Sequence, residues 1–210
     1  MSARPVGADG SGGPAPALGV GMSGSAGAVR IRPARAADAP RAAEIEIAGG
    51  RAFAEIGMVE VAADVPDESG LIRTAEEGRL WVLEAWTPAA QEGRGQGGEG
   101  TRWETAGYAA AEILDGCAHI AQVTVDPVHA GHGYGAALIA HVEQWGRVHG
   151  CRATTLTTFR SVPWNAPYYA RLGFEVMGPE EIGPELTRTM DHEATSPGLD
   201  AALRCAMIRR

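Results

Sequence analysis

Lysine is absent from this 210-residue chain; all 18 basic side chains are arginines. A Schiff-base nucleophile and the phosphate-binding lysine of a P-loop are thereby excluded. Cysteine is scarce: Cys117, Cys151 and Cys205 stand far apart, with no C-x-x-C. Such spacing supports neither a disulfide framework nor a zinc ribbon, so no metal is expected and a cytoplasmic, reducing setting is. Long apolar runs are missing too, and nothing approaches the ~18 residues that cross a bilayer; no membrane partner is expected. Positive charge is short. Eighteen basic against 26 acidic residues leave −8, which disfavours nucleic acid as a partner and suits small cationic ligands.

What is present points to a folded core. The apolar fraction is 45% and the charged fraction 21%, both close to globular norms. Glycine and proline concentrate in two tracts. Residues 1–27 are Gly, Ala, Ser and Pro without periodicity, and such a segment cannot bury enough apolar surface to offset its ordering entropy. It reads as a disordered tail; Gly, Pro and Asp9 interrupt any apolar centre a secretory signal would need, despite Arg4. The second tract, Gly93–Gly100 (GRGQGGEG), sits in a loop spanning 88–103 between apolar strands.

Residues 28–210 are expected to form one domain. Ala28–Arg32 alternates like a strand, and Asp38 with Pro40 opens a helix running towards Ile47. A second helix is expected from Asp67 to about Arg79. Leu80–Trp86 and Glu104–Leu114 read as a hairpin across the glycine-rich loop, and Ala118–Val125 as a further strand. Tyr134, Leu138, His141, Val142, Trp145 and Val148 recur at helical spacing within Gly135–His149. A strand (Ala153–Thr157), a short helix (Ala166–Leu172) and strands at Phe174–Met177 and Leu203–Ile208 complete the pattern. The order implies a single α/β domain, its mixed central sheet of about six or seven strands flanked by helices.

The stretch after the strand at 118–125 carries the most chemistry. Past Asp126-Pro127, glycines stand at 131, 133 and 135, and an amphipathic helix begins. Glycine removes the Cβ that keeps a bulky anion from the backbone, so successive N–H groups can converge at a helix N-terminus. That is a phosphate or diphosphate cradle. Gly131-x-Gly133-x-x-Ala136 also fits a dinucleotide fingerprint, which expects an acidic residue about 20 positions on. Between Glu143 and Glu175 there is no Asp or Glu, and only Arg160 serves an NADP version. The oxidoreductase reading therefore ranks behind.

The segment Ala130-Gly-His-Gly133-Tyr-Gly135 resembles the acyl-CoA-binding motif of the GNAT N-acetyltransferase superfamily, Q/R-x-x-G-x-G/A. One departure is plain: Ala130 stands where the motif usually has Gln or Arg. The resemblance implies that the amides of Gly131, His132, Gly133, Tyr134, Gly135 and Ala136 bind the diphosphate of acetyl-CoA. It also implies that the backbone of Val123, Thr124 and Val125 pairs with the pantetheine arm, the sheet splaying after strand 118–125 to admit it. Downstream, Tyr169-x-x-Leu-Gly-Phe174 is similar to the superfamily's second hallmark. The Pro163-Trp-Asn165-x-Pro167 prefix and Gly198-Leu-Asp200 resemble one bacterial branch of it.

The implied activity is transfer of an acetyl group from acetyl-CoA, the co-substrate, to a primary amine of a small molecule or peptide, by direct attack in a ternary complex. An ammonium must first lose a proton, and the departing thiolate must gain one. Tyr169 occupies the family's general-acid position; Tyr168 points about 100° away on the same helix. His119 stands where the superfamily often carries a catalytic Glu or His. Strand alternation expects it on one face with Ala121, Val123 and Val125. Glu112 and Glu84 are reserve bases. His129 and His132 are expected at the cofactor loop or in solvent. Asn165 is expected first as a helix cap, then as a ligand contact. Phe53, Ile56, Trp81, Trp86, Trp103 and Trp164 offer walls for the amine or serve as core. No cysteine lies in an activating motif, so no acyl-enzyme is expected. The loss at Ala130 keeps a non-catalytic acyl-CoA-binding sensor open, and a homodimer is left open as well.

Overall fold

A computed structural model describes residues 28–88 and 101–210. The expected tail at 1–27 and the Gly93–Gly100 tract fall outside the described residues. In chain order the elements are β1 (Val29–Pro33), α1 (Ala39–Ala54), α2 (Val59–Ala62), α3 (Glu68–Glu76), β2 (Leu80–Pro88), β3 (Thr101–Leu114), β4 (Cys117–Val125), α4 (Tyr134–Val148), β5 (Thr154–Phe159), α5 (Ala166–Arg171), β6 (Glu175–Val176), α6 (Pro184–Glu193) and β7 (Arg204–Arg209). The strands form one seven-stranded sheet in the order β1-β2-β3-β4-β5-β7-β6. Every neighbouring pair is antiparallel except β4 and β5.

Helices cover both faces, as an α/β domain requires to bury a sheet. On one face α4 lays Leu138, Ile139 and Val142 against Leu83, Ala109, Ile120, Leu156 and Met207. The fully buried Leu138 and Val142 each contribute on the order of 1.5–3 kcal/mol by leaving water. Val148, counted in the expected apolar stripe, is exposed. On the other face α1 buries Ala42 and Ile45 against Leu80, Val82, Tyr108 and Ala110.

Two expectations at α1 change. The helix continues seven residues past Ile47, to Ala54. Asp38 precedes it without a side-chain capping bond. Its carboxylate instead accepts from Arg32 at 2.8 Å and from the Arg35 amide at 2.8 Å, because an arginine fork outcompetes one amide for the same oxygens.

α6 was not foreseen. Asp115, at the β3–β4 turn with φ 50°, accepts from the amides of Glu185 (3.1 Å) and Leu186 (2.9 Å). Those donors have no partner inside the helix, so a remote carboxylate caps α6. Leu186 then packs with Met177, Ala206 and Ile208 beneath it.

Candidate active site

β4 and β5 pair over three residues only: Ala118 with Thr154, His119 with Thr155, and Ile120 with Leu156. Beyond them the strands part, so the splay begins inside strand 118–125 rather than after it. A cleft of about 870 Å³ opens there, with Ala121–Val125 on one side and Thr157, Thr158 and Phe159 on the other. That volume suits a ligand larger than a metabolite fragment.

One end of the cleft is the glycine loop. Gly131 and Gly133 adopt φ of +81° and +76°, a left-handed conformation that residues with a Cβ rarely take. The loop is anchored by Asp126, which accepts from the Val128 amide at 3.1 Å and pairs with Arg41 of α1. The first backbone bond into α4 runs from the Ala137 amide to the Gly133 carbonyl at 3.1 Å. Among the described residues the amides of Gly131 to Ala136 have no backbone acceptor, and they sit where the α4 dipole favours an anion. Ala130, Gly131, Gly133, Tyr134 and Gly135 line the cleft; His132 and Ala136 do not. The His132 imidazole donates to the carbonyls of His129 (3.1 Å) and Ala130 (3.0 Å), so it staples the loop from its solvent side.

Tyr168 and Tyr169 both reach the cleft from α5. The Tyr169 ring packs edge-on against Phe174, with centroids 6.0 Å apart, and burial pushes its phenol up to about 12. A phenol so placed keeps its proton across the neutral range, which is the state a general acid needs. Asn165, at the head of α5, makes no capping bond. It turns its Nδ2 to the Thr158 hydroxyl at 2.8 Å, leaving its buried Oδ1 without a partner. The expected cap is therefore a cleft-lining amide. Gly173, at φ +88°, closes the helix.

His119 lies elsewhere. Ala110 pairs with Gln122 and Ala111 with Ile120, so Ala121 is an inserted bulge residue. A bulge reverses the alternation after it. His119 consequently shares its face with Gln122 and Thr124, not with Val123 and Val125. It is 1% exposed, forms no part of the cleft wall, and bonds through Nδ1 to the Thr155 hydroxyl at 3.0 Å. Burial drives its imidazole down to about 4.

The reserve carboxylates are also outside the cleft wall. Burial would raise Glu84, but the guanidiniums of Arg32 (2.9 Å) and Arg30 (2.5 Å) override it and hold the carboxyl below its usual range. Glu112 is raised, chiefly by burial.

Sequence reasoning found only Phe53 and Trp164 at the far end of the cleft and missed its polar groups. There α1 presents Glu46, Gly49, Gly50 and Phe53, joined by Asp64 and, from the C-terminal part, by Glu193 and Arg204. Phe53 packs between Phe159 and Trp164, each 5.6 Å away. Of the foreseen walls only Phe53 and Trp164 reach the cleft; Trp81 is buried against His141 and Trp145. Arg204 is held by Glu193 and the Thr157 hydroxyl, both at 2.9 Å. A second cavity, of about 60 Å³ beside Arg147, Arg152, Arg209 and Arg210, is far smaller. Among the described residues no group of three or more His, Cys, Asp or Glu is placed to hold a metal, and no helix is long and apolar enough to cross a membrane.

This chain is similar in fold to N-acetylglutamate synthase from Neisseria gonorrhoeae, solved with coenzyme A and N-acetyl-glutamate (TM-score 0.57, 22% identity). The match covers 87% of this chain and 35% of that one, so the chain spans about a third of that protein's length. It is likewise similar to Rv2747 from Mycobacterium tuberculosis, solved with CoA and NLQ (TM-score 0.54, 19% identity, 85% and 96% of the two chains). A third likeness is to the ribosomal-protein-S18-alanine N-acetyltransferase from Escherichia coli (TM-score 0.51, 19% identity, 86% and 92%). At such identities the likeness concerns the fold. The family model described as Acetyltransferase (GNAT) family matches residues 79–174, from just before β2 to Phe174, and takes in the glycine loop and both tyrosines. Over these residues, a little under half of the chain, the sequence matches the GNAT acetyltransferase family.

Proposed function

We propose that this chain moves the acetyl group of acetyl-CoA to a primary amine by direct attack, with Tyr169 as general acid. The observation that carries the reading is the continuity of the cleft from the unpaired amides at Gly131–Ala136 to the buried Tyr169 phenol. In this reading those amides hold the diphosphate, and the edge of β4 at Val123–Val125, which β5 does not pair and where the Val123 amide donates to the Gln122 Oε1 at 3.2 Å, guides the pantetheine arm towards the tyrosine. The Asn165 Oδ1 offers the arm an acceptor inside the cleft. The Tyr169 hydroxyl gives its proton to the departing thiolate. Cys117 and Cys205 are buried, burial raises the Cys151 thiol, and none lines the cleft, which favours direct transfer over an acyl-enzyme.

The far end carries Glu46, Asp64 and Glu193 against Arg204. This excess of negative charge favours a cationic amine. The neighbour from Neisseria gonorrhoeae was solved with N-acetyl-glutamate, which fits a small-molecule amine class without naming the one used here. His119, sealed under the cleft floor, has a packing role in this reading.

Ala130 favours a second reading, a sensor that binds acyl-CoA without turnover, since no long polar side chain stands at that position of the cleft. A thiol-release assay with acetyl-CoA over a panel of primary amines separates the two. Amine-dependent CoA release supports the transferase. Acetyl-CoA binding with no release against any amine supports the sensor.

A further inference from the structure

We infer that Glu46 is the catalytic residue that takes the proton from the amine substrate; the inference rests on the acetyltransferase reading above. Glu46, Gly49, Gly50 and Phe53 recur at helical spacing, so one face of α1 forms the cleft wall. A Cβ at Gly49 would stand 3.0 Å from the Thr124 methyl. Bare backbone there lets α1 lie close to β4 beside the carboxylate.

The partners of Glu46 distinguish it from the other acids. Its Oε2 accepts from the Tyr108 hydroxyl, and its Oε1 from the Gln122 amide at 2.6 Å. Both donors are neutral, and among the described residues no cation pairs with it. Elsewhere arginines engage the carboxylates: Glu193 by Arg204, Asp126 by Arg41, Glu84 by Arg30 and Arg32. Asp64 lines the cleft but is exposed. Glu46 is thus a fixed, partly buried acid without a counter-ion, and an ammonium entering the cleft supplies one. The bulge at Ala121 matters here, because it turns Gln122 to the Glu46 side of the sheet. Burial raises the Glu46 carboxyl, and Asp64 adds to the rise, against the lowering by Tyr108 and Gln122. A raised carboxyl is a better base than a free one.

Glu46 takes one proton from the ammonium and becomes a carboxylic acid. The freed nitrogen lone pair forms the C–N bond at the thioester carbonyl carbon, and the C–S bond breaks. The Tyr169 phenol protonates the thiolate sulfur, and the phenolate recovers a proton from the acylated nitrogen. Glu46 then releases its proton through the open cleft to water.

The test is thiol release by wild type, Glu46→Gln and Glu46→Asp between pH 6 and 10. It uses alkyl primary amines and an alkoxyamine, which is already unprotonated at neutral pH. With alkylamines, Glu46→Gln lowers kcat/KM at pH 7 by about 100-fold. The deficit shrinks above pH 9, where solvent removes the proton, and is nearly absent with the alkoxyamine; acetyl-CoA affinity is unchanged. Glu46→Asp keeps the wild-type pH profile at a lower rate. Wild-type rates in Glu46→Gln with an alkylamine at pH 7, a deficit equal at every pH and for both amine classes, or an altered pH profile in Glu46→Asp overturns the assignment while leaving the transferase reading in place. No CoA release by wild type with any amine overturns both.

Discussion

Gly135 lies against the Tyr168 hydroxyl: a Cβ built on the glycine would stand 3.1 Å from that oxygen. The first turn of α4 and the side of α5 therefore meet at the amide-lined end of the cleft with no room for a branched side chain. A methyl group asks the phenol to retreat by a few tenths of an ångström, whereas valine forces it away. Gly135→Val is expected to weaken acetyl-CoA binding by at least about tenfold, or about 1.4 kcal/mol, in a calorimetric titration. Gly135→Ala should lose much less. Unchanged affinity in the valine variant would place the diphosphate away from this turn.

Tyr169→Phe removes one oxygen and keeps the ring contacts to Tyr168 and Phe174. Its kcat for amine-dependent CoA release should fall about 100-fold, the lower end of the range for acid catalysis, while the dissociation constant of acetyl-CoA stays within about twofold. Burial pushes the wild-type phenol up to about 12, so a basic limb in the pH–rate profile below pH 10 is expected to come from another group. Wild-type kcat in the phenylalanine variant would remove Tyr169 from the chemistry.

Asp115 holds α6 from outside by accepting from its first free amides. Asp115→Ala should cost about 1–2 kcal/mol, seen as a fall in Tm of about 2–8 °C for a chain of this size. Asp115→Asn, which tolerates a left-handed backbone and keeps one acceptor oxygen, should lose less. Equal melting of all three proteins would mean that α6 is docked by Leu186 alone.

Stability should also fall as pH drops from 6.5 towards 4. Burial lowers the His119 imidazole to about 4, while the unfolded chain binds that proton near ~6.5. Between these values the unfolded state holds more protons, so acid favours unfolding, by on the order of 3 kcal/mol once pH 4 is reached. His141, also lowered by burial, contributes with the same sign. His119→Asn, whose amide replaces Nδ1 at Thr155, should flatten part of the slope in denaturant midpoints measured from pH 7 to 4.5. A slope identical to wild type would contradict the sealed, neutral state of His119.

Local signals made most of the fold legible. Apolar alternation located the long strands, and helical spacing found α4 to within a residue at each end. The glycines at 131, 133 and 135 marked the loop because their backbone conformation and space are written in residue type. The bulge at Ala121 was not legible, since nothing in Cys117–Val125 departs from ordinary strand composition, and it reversed the facing of His119. α6 escaped because Leu186 and Met190 give a short, polar segment only two apolar contacts, and its cap comes from Asp115, about 70 residues away in sequence. Glu46 looked like one more charge on an amphipathic helix. A signal for it did exist: two consecutive glycines in a helix interior cost roughly 1 kcal/mol each, which asks what their missing side chains make room for.

A crystal structure of the acetyl-CoA complex would show directly where the diphosphate and the thioester lie. The diphosphate is expected on the amides of Gly131 to Ala136, and the thioester sulfur within hydrogen-bonding reach of the Tyr169 hydroxyl. The acetyl carbonyl is expected on the side of the cleft that faces Glu46. A diphosphate at the Arg147–Arg152–Arg209 cavity, or a Tyr169 hydroxyl turned away from the sulfur, would contradict the proposed transfer.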